Sequence, residues 1–149
     1  MVKLDIREID PKSVEPHLLP RDYTFQNWWL DCSYMGDSEG HRHFVVANDG
    51  GEEVARFVIN ETAKRRNFIS SSYPISLDGP ELMEIQFIDV RESYRGHGIG
   101  TRVVEQIADK ANGRQLIALS EESDAFWESM GWRRVQPADD LRRPLYVAP

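Results

Sequence analysis

The six residues Arg95-Gly96-His97-Gly98-Ile99-Gly100 constrain this chain most, because they pack three of its ten glycines between a strand-like run and a helix-like one. Upstream, Leu82 to Val90 reads LMEIQFIDV, apolar with isolated acidic and amide residues. Downstream, Ile99, Val103, Ile107 and Ala111 recur at helical spacing, Val104 and Ala108 widen the stripe, and Asn112-Gly113 supplies a stop. Glycine admits positive φ and carries no Cβ, so main-chain N–H groups at such a turn can approach a ligand closely. The first N–H groups of the helix have no intrahelical acceptor. With the helix dipole they favour an anion by about 0.3 to 1 kcal/mol per exposed contact. Flanked by Arg95 and Arg102, the turn is expected to bind a phosphate or pyrophosphate rather than to be an empty strand-to-helix corner.

Spacing narrows the ligand. A dinucleotide turn needs G-x-G-x-x-G, and counting from Gly96 and Gly98 the third glycine position is Thr101. No G-x-x-x-x-G-K-[ST] string occurs, so a P-loop is also excluded. A carboxylate sits inside the apolar strand, at Glu84, where a charge is costly unless it has a use. The alternatives for it are a partly solvated strand carboxylate or one paired with Arg56 on a neighbouring strand. Gln86, two residues on, is expected on the same face, where it could orient a water or an acceptor amide.

Arg95, Gly98 and Gly100 fill the pattern [RQ]-x-x-G-x-[GA], and Val90 ends the strand five residues before Arg95. This stretch, from Leu82 to Ala111, resembles motif A of the GNAT superfamily of acyl-CoA-dependent N-acetyltransferases. The resemblance is specific from about Leu82 to Trp132 and architectural elsewhere. It implies an α/β (α+β) fold, with a mixed, mostly antiparallel central sheet of six to seven strands flanked by about four helices. It also implies acetyl-CoA as cosubstrate, its pyrophosphate held around Arg95, Gly96, His97, Gly98, Ile99, Gly100 and Thr101. The pantetheine arm would lie along Ile88 and Val90. Glu84 stands eleven residues before Arg95, where histone-type members carry a general base. The late segment Phe126-Trp127-Glu128-Ser129-Met130-Gly131-Trp132 departs from the family, with Trp127 at the position of a general-acid tyrosine. An indole N–H can donate to sulfur but does not ionise usefully. Ser120, where many members have asparagine, is a second departure. The implied activity is direct acetyl transfer to a primary amine of a small molecule, peptide or protein. The alternative is a non-catalytic acyl-CoA-binding or protein-interaction module on the same fold.

At 149 residues the chain is expected to form a single domain over 1–149, with 40% hydrophobic and 29% charged residues. No apolar run reaches the ~20 residues of a membrane span, and the N-terminus lacks a signal-peptide core. The single Cys32 reads as a small buried hydrophobe in a reducing, cytoplasmic setting. A net charge of −7 argues against a nucleic-acid partner; it suits a cationic amine, or simply solubility. The expected partners are thus acetyl-CoA and an amine acceptor, with no membrane and with a homodimer left open. No metal is expected: His41 and His43 share a strand face without a supporting Cys/His cluster.

Along the chain, Val2 to Ile6 alternates as a first strand, and a helix is expected from Thr24 through Cys32. Trp28 and Trp29, with Tyr34 near Asp31, Asp37 and Glu39, could line an amine pocket or belong to the core. His41 to Ala47 and Glu53 to Ile59 form a hairpin through Asn48-Asp49-Gly50-Gly51. Asn60 to Pro80 is a long connection, functional or concealing a short strand near Phe68 to Ile75. Leu116 to Leu119 is a buried strand, followed by a helix capped by Ser120 or Ser123, with Glu121 and Glu122 in its first turn. A closing antiparallel pair, Trp132 to Val135 and Leu145 to Val147, completes the reading.

Overall fold

The structure, a computed structural model, describes residues 3–11, 18–31, 40–120, 123–139 and 142–149. Val2, Cys32, Tyr34, Asp37, Glu39, Glu121 and Glu122, all invoked above, lie outside the described residues.

Among these, the strands are β1 (Asp5–Ile9), β2 (His41–Ala47), β3 (Glu53–Asn60), β4 (Leu82–Val90), β5 (Gln115–Leu119), β6 (Arg133–Val135) and β7 (Leu145–Val147). The helices are α1 (Gln26–Asp31), α2 (Arg65–Ser70), α3 (Ile99–Asp109) and α4 (Asp124–Ser129). The strands form one sheet in the order β1-β2-β3-β4-β5-β7-β6. Only β4 and β5 pair in parallel, joined by the α3 crossover, so the fold is the mixed, mostly antiparallel one expected. The expected hairpin is β2–β3, its turn held by Asn48 Oδ1, which accepts the Gly50 and Glu52 N–H groups at 3.0 Å.

The apolar stripe of α3 covers one sheet face: Val103, Val104 and Ile107 pack with Met83, Ile85, Phe57 and Tyr146. Each such side chain, fully buried, stabilises the fold by about 1.5 to 3 kcal/mol. The opposite face is covered by Leu19, Tyr23 and Trp29 over Val58, and by Phe68 and Tyr73 over Leu82 and Ile117.

Three local readings are corrected. The first strand begins at Asp5. Residues 68–75 hold no strand; α2 buries Phe68, and the N–H groups of Ser71, Ser72 and Tyr73 turn back onto the carbonyls of Asn67, Phe68 and Ile69. β4 carries a bulge where Val58 faces Phe87 and Ile59 faces Ile85, leaving Gln86 as the extra residue. Alternation therefore slips by one, and Phe87 packs on the Trp28 and Trp29 side rather than with Met83 and Ile85.

The β4–β5 ladder stops at Ile85 opposite Ala118, whereas β4 runs on beside β3 to Val90. Beyond Ile85 the β5-facing edge of β4 has no strand partner among the described residues, and the sheet opens there.

Candidate active site

The glycine turn follows a 3-10 turn, Glu92–Tyr94, at the end of β4. Gly96 and Gly98 adopt φ of 81° and 75°, and Gly98 is the N-cap of α3. The Arg102 N–H is the first to reach an intrahelical acceptor, the Gly98 carbonyl at 3.1 Å. The N–H groups of Ile99, Gly100 and Thr101 thus point out of the helix end. A Cβ built on Gly96 or Gly98 would meet nothing within 4 Å, so these glycines serve the backbone path and the open space before it. Gly100 differs: its Cβ would lie 3.1 and 3.4 Å from the Phe126 ring and 3.6 Å from Val90.

In front of the turn is a cleft of about 490 Å³, lined by Ile88, Val90, Arg95, Gly96, Gly98, Ile99, Gly100 and Thr101. Thr24 and Phe25 close one side, and Ser123, Ala125 and Phe126 the other. His97 is exposed on the turn and is not part of this wall. Arg95 is a brace: its Nε donates to the Val90 carbonyl at 2.9 Å, and its Nη2 donates to Thr24 Oγ1 and lies 3.7 Å from the Asp89 carboxylate. Asp89, 3% exposed, accepts the Thr24 and Phe25 N–H groups at 3.2 and 2.8 Å and the Trp29 indole N–H at 2.9 Å. It fastens the approach to α1 onto β4.

Where β4 and β5 part, a slot of about 20 Å³, room for roughly one water, is lined by Phe25, Ile85, Gln86, Phe87, Ile88, Leu119, Ser123 and Trp127. It shares Phe25, Ile88 and Ser123 with the cleft. Trp127, 2% exposed, is packed against Phe126 and Trp132 with ring centroids at 4.9 and 4.6 Å. The Gln86 Oε1 is buried without a hydrogen-bond partner among the described residues. Ser120, also buried, caps locally by accepting the Ser123 N–H at 3.1 Å.

Leu119 joins the slot to a third space of about 440 Å³, lined by Asn60, Thr62, Ala63, Asn67, Phe68, Ser71, Tyr73, Glu84, Arg142 and Arg143. Glu84 lies in this wall at 7% exposure, and Asn60 Nδ2 donates to its carboxylate at 3.1 Å. Burial pushes its pKa up, outweighing the Asn60 hydrogen bond and the nearby His41 and Arg143. Arg56 is not its partner: the Arg56 guanidinium bonds Glu53 at 2.8 Å.

The two tryptophans read as acceptor contacts sit elsewhere. Trp29 is core, 1% exposed, its indole held by Asp89. Trp28 is half-buried, stacked on His43 at 6.0 Å and tilted on Phe87 at 4.2 Å, and lies outside the Glu84 cavity. His43, on the same strand face as His41, is driven down to a pKa of about 4 by burial first and then by His41 and Arg56, so it is neutral near pH 7. Among the described residues, no group of three or more His, Cys, Asp or Glu is placed to hold a metal, and no helix is long and apolar enough to cross a membrane.

The sequence model of the Acetyltransferase (GNAT) family matches residues 4–132. The chain belongs to this family. GNAT members are acyltransferases that use acetyl-CoA generally. Among solved structures, an acetyltransferase from Thermus thermophilus is 21% identical, with 98% of this chain and 96% of that one covered and a TM-score of 0.66. AtaT in complex with acetyl-methionyl-tRNAfMet is 11% identical, covering 99% and 95%, at a TM-score of 0.64. A ribosomal-protein-alanine N-acetyltransferase from Brucella melitensis biovar Abortus 2308 is 18% identical, covering 85% and 90%, at a TM-score of 0.56. At these identities the likeness speaks for the fold. A comparison with curated proteins finds no match.

Sequence reasoning missed Asp89, Asn60, Tyr73 and the arginines at 142 and 143. Asp89 carried the same signal as Glu84, an acid inside an apolar strand. Asn60 ends β3, in register with Glu84, and Tyr73, Arg142 and Arg143 lie on connections without periodicity, so only folding brings these four to Glu84.

Proposed function

We propose that the protein is an N-acetyltransferase that moves the acetyl group of acetyl-CoA directly to a primary amine, with Glu84 as general base, in a cytoplasmic setting. The observation that carries this reading is continuity: the slot shares residues with the glycine-turn cleft at one end and with the Glu84 cavity at the other. The open N–H groups of Ile99, Gly100 and Thr101 suit the pyrophosphate of CoA, assisted by the N-terminal dipole of α3. The edge of β4 near Ile88 and Val90, which has no strand partner on the β5 side among the described residues, suits an extended amide-bearing arm. Gly96 and Gly98 leave room for the phosphates, and Arg95 shapes the turn rather than grasping them.

In the Glu84 cavity an ammonium loses its proton to the carboxylate, directly or through a water. The free amine nitrogen then attacks the thioester carbon, the nitrogen of the tetrahedral intermediate gives its second proton to water, and the C–S bond breaks to leave the amide and the CoA thiolate. Because burial raises the Glu84 pKa, its carboxylate is a better proton acceptor than a solvated one; a positioned base contributes about 10²- to 10⁴-fold. Trp127 has no ionisable proton to give. The thiolate, conjugate base of a thiol of pKa about 8.5, leaves unassisted or takes a proton from water.

Trp127 also motivates a second reading, a GNAT fold that binds acyl-CoA without turnover. Free-thiol release from acetyl-CoA against an amine panel separates the two. The enzyme reading expects turnover in the wild type and a loss of about 10²-fold or more in Glu84→Gln, with CoA binding retained. Tight CoA binding with no turnover selects the second reading, and an unchanged rate in Glu84→Gln removes Glu84 as base.

A further inference from the structure

We infer that a single water, anchored by Gln86 in the slot between β4 and β5, carries a proton from the tetrahedral nitrogen to the departing CoA sulfur. Gln86 is then a positioning residue, acting through that water. The inference rests on the proposed direct transfer from acetyl-CoA to an amine.

Two protons have to leave the acceptor's ammonium nitrogen, and one has to reach sulfur if CoA departs as the thiol. Glu84 takes the first before attack and, once protonated, is no base for the second. None of the residues lining the slot ionises in a useful range: the polar ones are Gln86, Ser123 and Trp127 with its indole N–H. Water is the co-reactant that serves both ends. As the nitrogen passes its proton to the water oxygen, the water gives one of its own to sulfur. The C–S bond breaks with its electron pair on sulfur, the amide and the thiol form, and the water is restored.

The fold builds a place for one water. The β3 register skips Gln86, with Val58 opposite Phe87 and Ile59 opposite Ile85, and the β5 ladder ends at Ile85 opposite Ala118. Among the described residues Gln86 is therefore matched by a strand residue on neither side. Its Oε1 is buried and has no hydrogen-bond partner among those residues, an arrangement that is costly unless a donor fills it. The slot it lines, about 20 Å³, is the size of one water. Such a water can donate one hydrogen to Gln86 Oε1 and the other to sulfur while its oxygen receives the amine proton. The slot shares Phe25, Ile88 and Ser123 with the glycine-turn cleft and Leu119 with the Glu84 cavity, so it lies between the proposed positions of thioester and amine. Its far wall is rigid: Trp127 is 2% exposed, packed on Phe126 and Trp132, and its backbone N–H donates to the Ser123 carbonyl at 3.3 Å. Apolar neighbours leave the water few competing partners and strengthen the hydrogen bonds it makes.

The test follows the chemical step in single turnover, with acetyl-CoA and an amine the wild type acetylates, in mixtures of H2O and D2O. A relay moves more than one proton in the step, so the wild-type rate should curve with deuterium fraction. Gln86→Met and Gln86→Leu, which fill the space without an amide, should straighten that curve and slow the step by about ten- to hundredfold. Amine KM and the calorimetric affinity for CoA should stay at their wild-type values. An unchanged rate in folded Gln86 variants overturns the relay, as does a straight wild-type line. A loss confined to amine KM makes Gln86 a direct contact of the amine and also overturns it. Should both variants fail to fold, the wild-type curve decides alone. Absence of turnover in the wild type overturns the acetyl-transfer reading and the relay with it, whereas wild-type turnover that the variants leave untouched overturns the relay only.

Discussion

Two carboxylates in β4 have opposite surroundings. Asp89 accepts two backbone N–H groups and an indole N–H and lies beside Arg95, so its hydrogen-bonding capacity is spent on holding α1 to the sheet. Glu84, almost as buried, accepts one hydrogen bond among the described residues, from Asn60. An under-served buried carboxylate resists ionisation, which is what the raised pKa expresses. The folded-state value lies above the unfolded one, so the protonated form is favoured by folding. Glu84 therefore burdens the fold least below its unfolded pKa, near 4.5, and stability is lost as pH rises through the folded value. Glu84→Gln keeps an oxygen for Asn60 and removes the charge. Its melting temperature should exceed that of the wild type at pH 8, with the gap closing as pH falls toward 4.5, while turnover is lost. A gap that is constant with pH would show that the carboxylate is not strained by burial. A stabilised, inactive variant is the expected signature of a residue kept for chemistry.

At the scale of elements, the glycines of the turn before α3 divide by task. Gly98 holds a left-handed conformation at φ of 75° with open space beyond, whereas Gly100 is helical and a Cβ on it would meet Phe126 of α4 and Val90 of β4. Gly98→Ala should cost about 1 kcal/mol in denaturant unfolding, from backbone strain alone. Gly100→Ala gains helix propensity that offsets its tight contact with Phe126, so its stability should change by less than that. Its effect should be read instead in CoA affinity, because the displaced Phe126 lines the cleft. A larger stability loss in Gly100→Ala than in Gly98→Ala would reverse this assignment. The turn, α3 and the hairpin were legible because local chemistry dictates each of them. Glu84 was legible as an acid in an apolar strand, and Asp89 could have been by the same test. Gln86 was misplaced because a bulge has no periodic signature, and that one extra residue moved Phe87 to the other face. Pocket and core both stayed open for Trp29 because an aromatic reads alike in the two until its indole is seen on Asp89. The wall facing Glu84 joins residues 60–73 to residues 142–143, a juxtaposition that sequence separation conceals.

At the scale of the molecule, the proposed function turns on where β4 and β5 separate. The parallel pair is built by the α3 crossover, and its ladder ends at Ile85, so the sheet is continuous behind the site and open at it. At this opening the narrow slot shares lining residues with the glycine-turn cleft of about 490 Å³ and with the Glu84 cavity of about 440 Å³, which have separate walls. On the proposed function, donor and acceptor are held at the same time, and no protein nucleophile needs to carry the acetyl group between them. Steady-state kinetics with acetyl-CoA and an amine varied together should give intersecting lines, the pattern of a ternary complex. Incubation with acetyl-CoA alone should leave the intact mass of the chain unchanged. CoA at 100 times its dissociation constant should raise stability by about 2.7 kcal/mol whether or not the amine is present, because its site is complete on its own side of the slot. Parallel lines together with a stoichiometric mass gain of one acetyl group would indicate an acetyl-enzyme and overturn direct transfer between the two spaces.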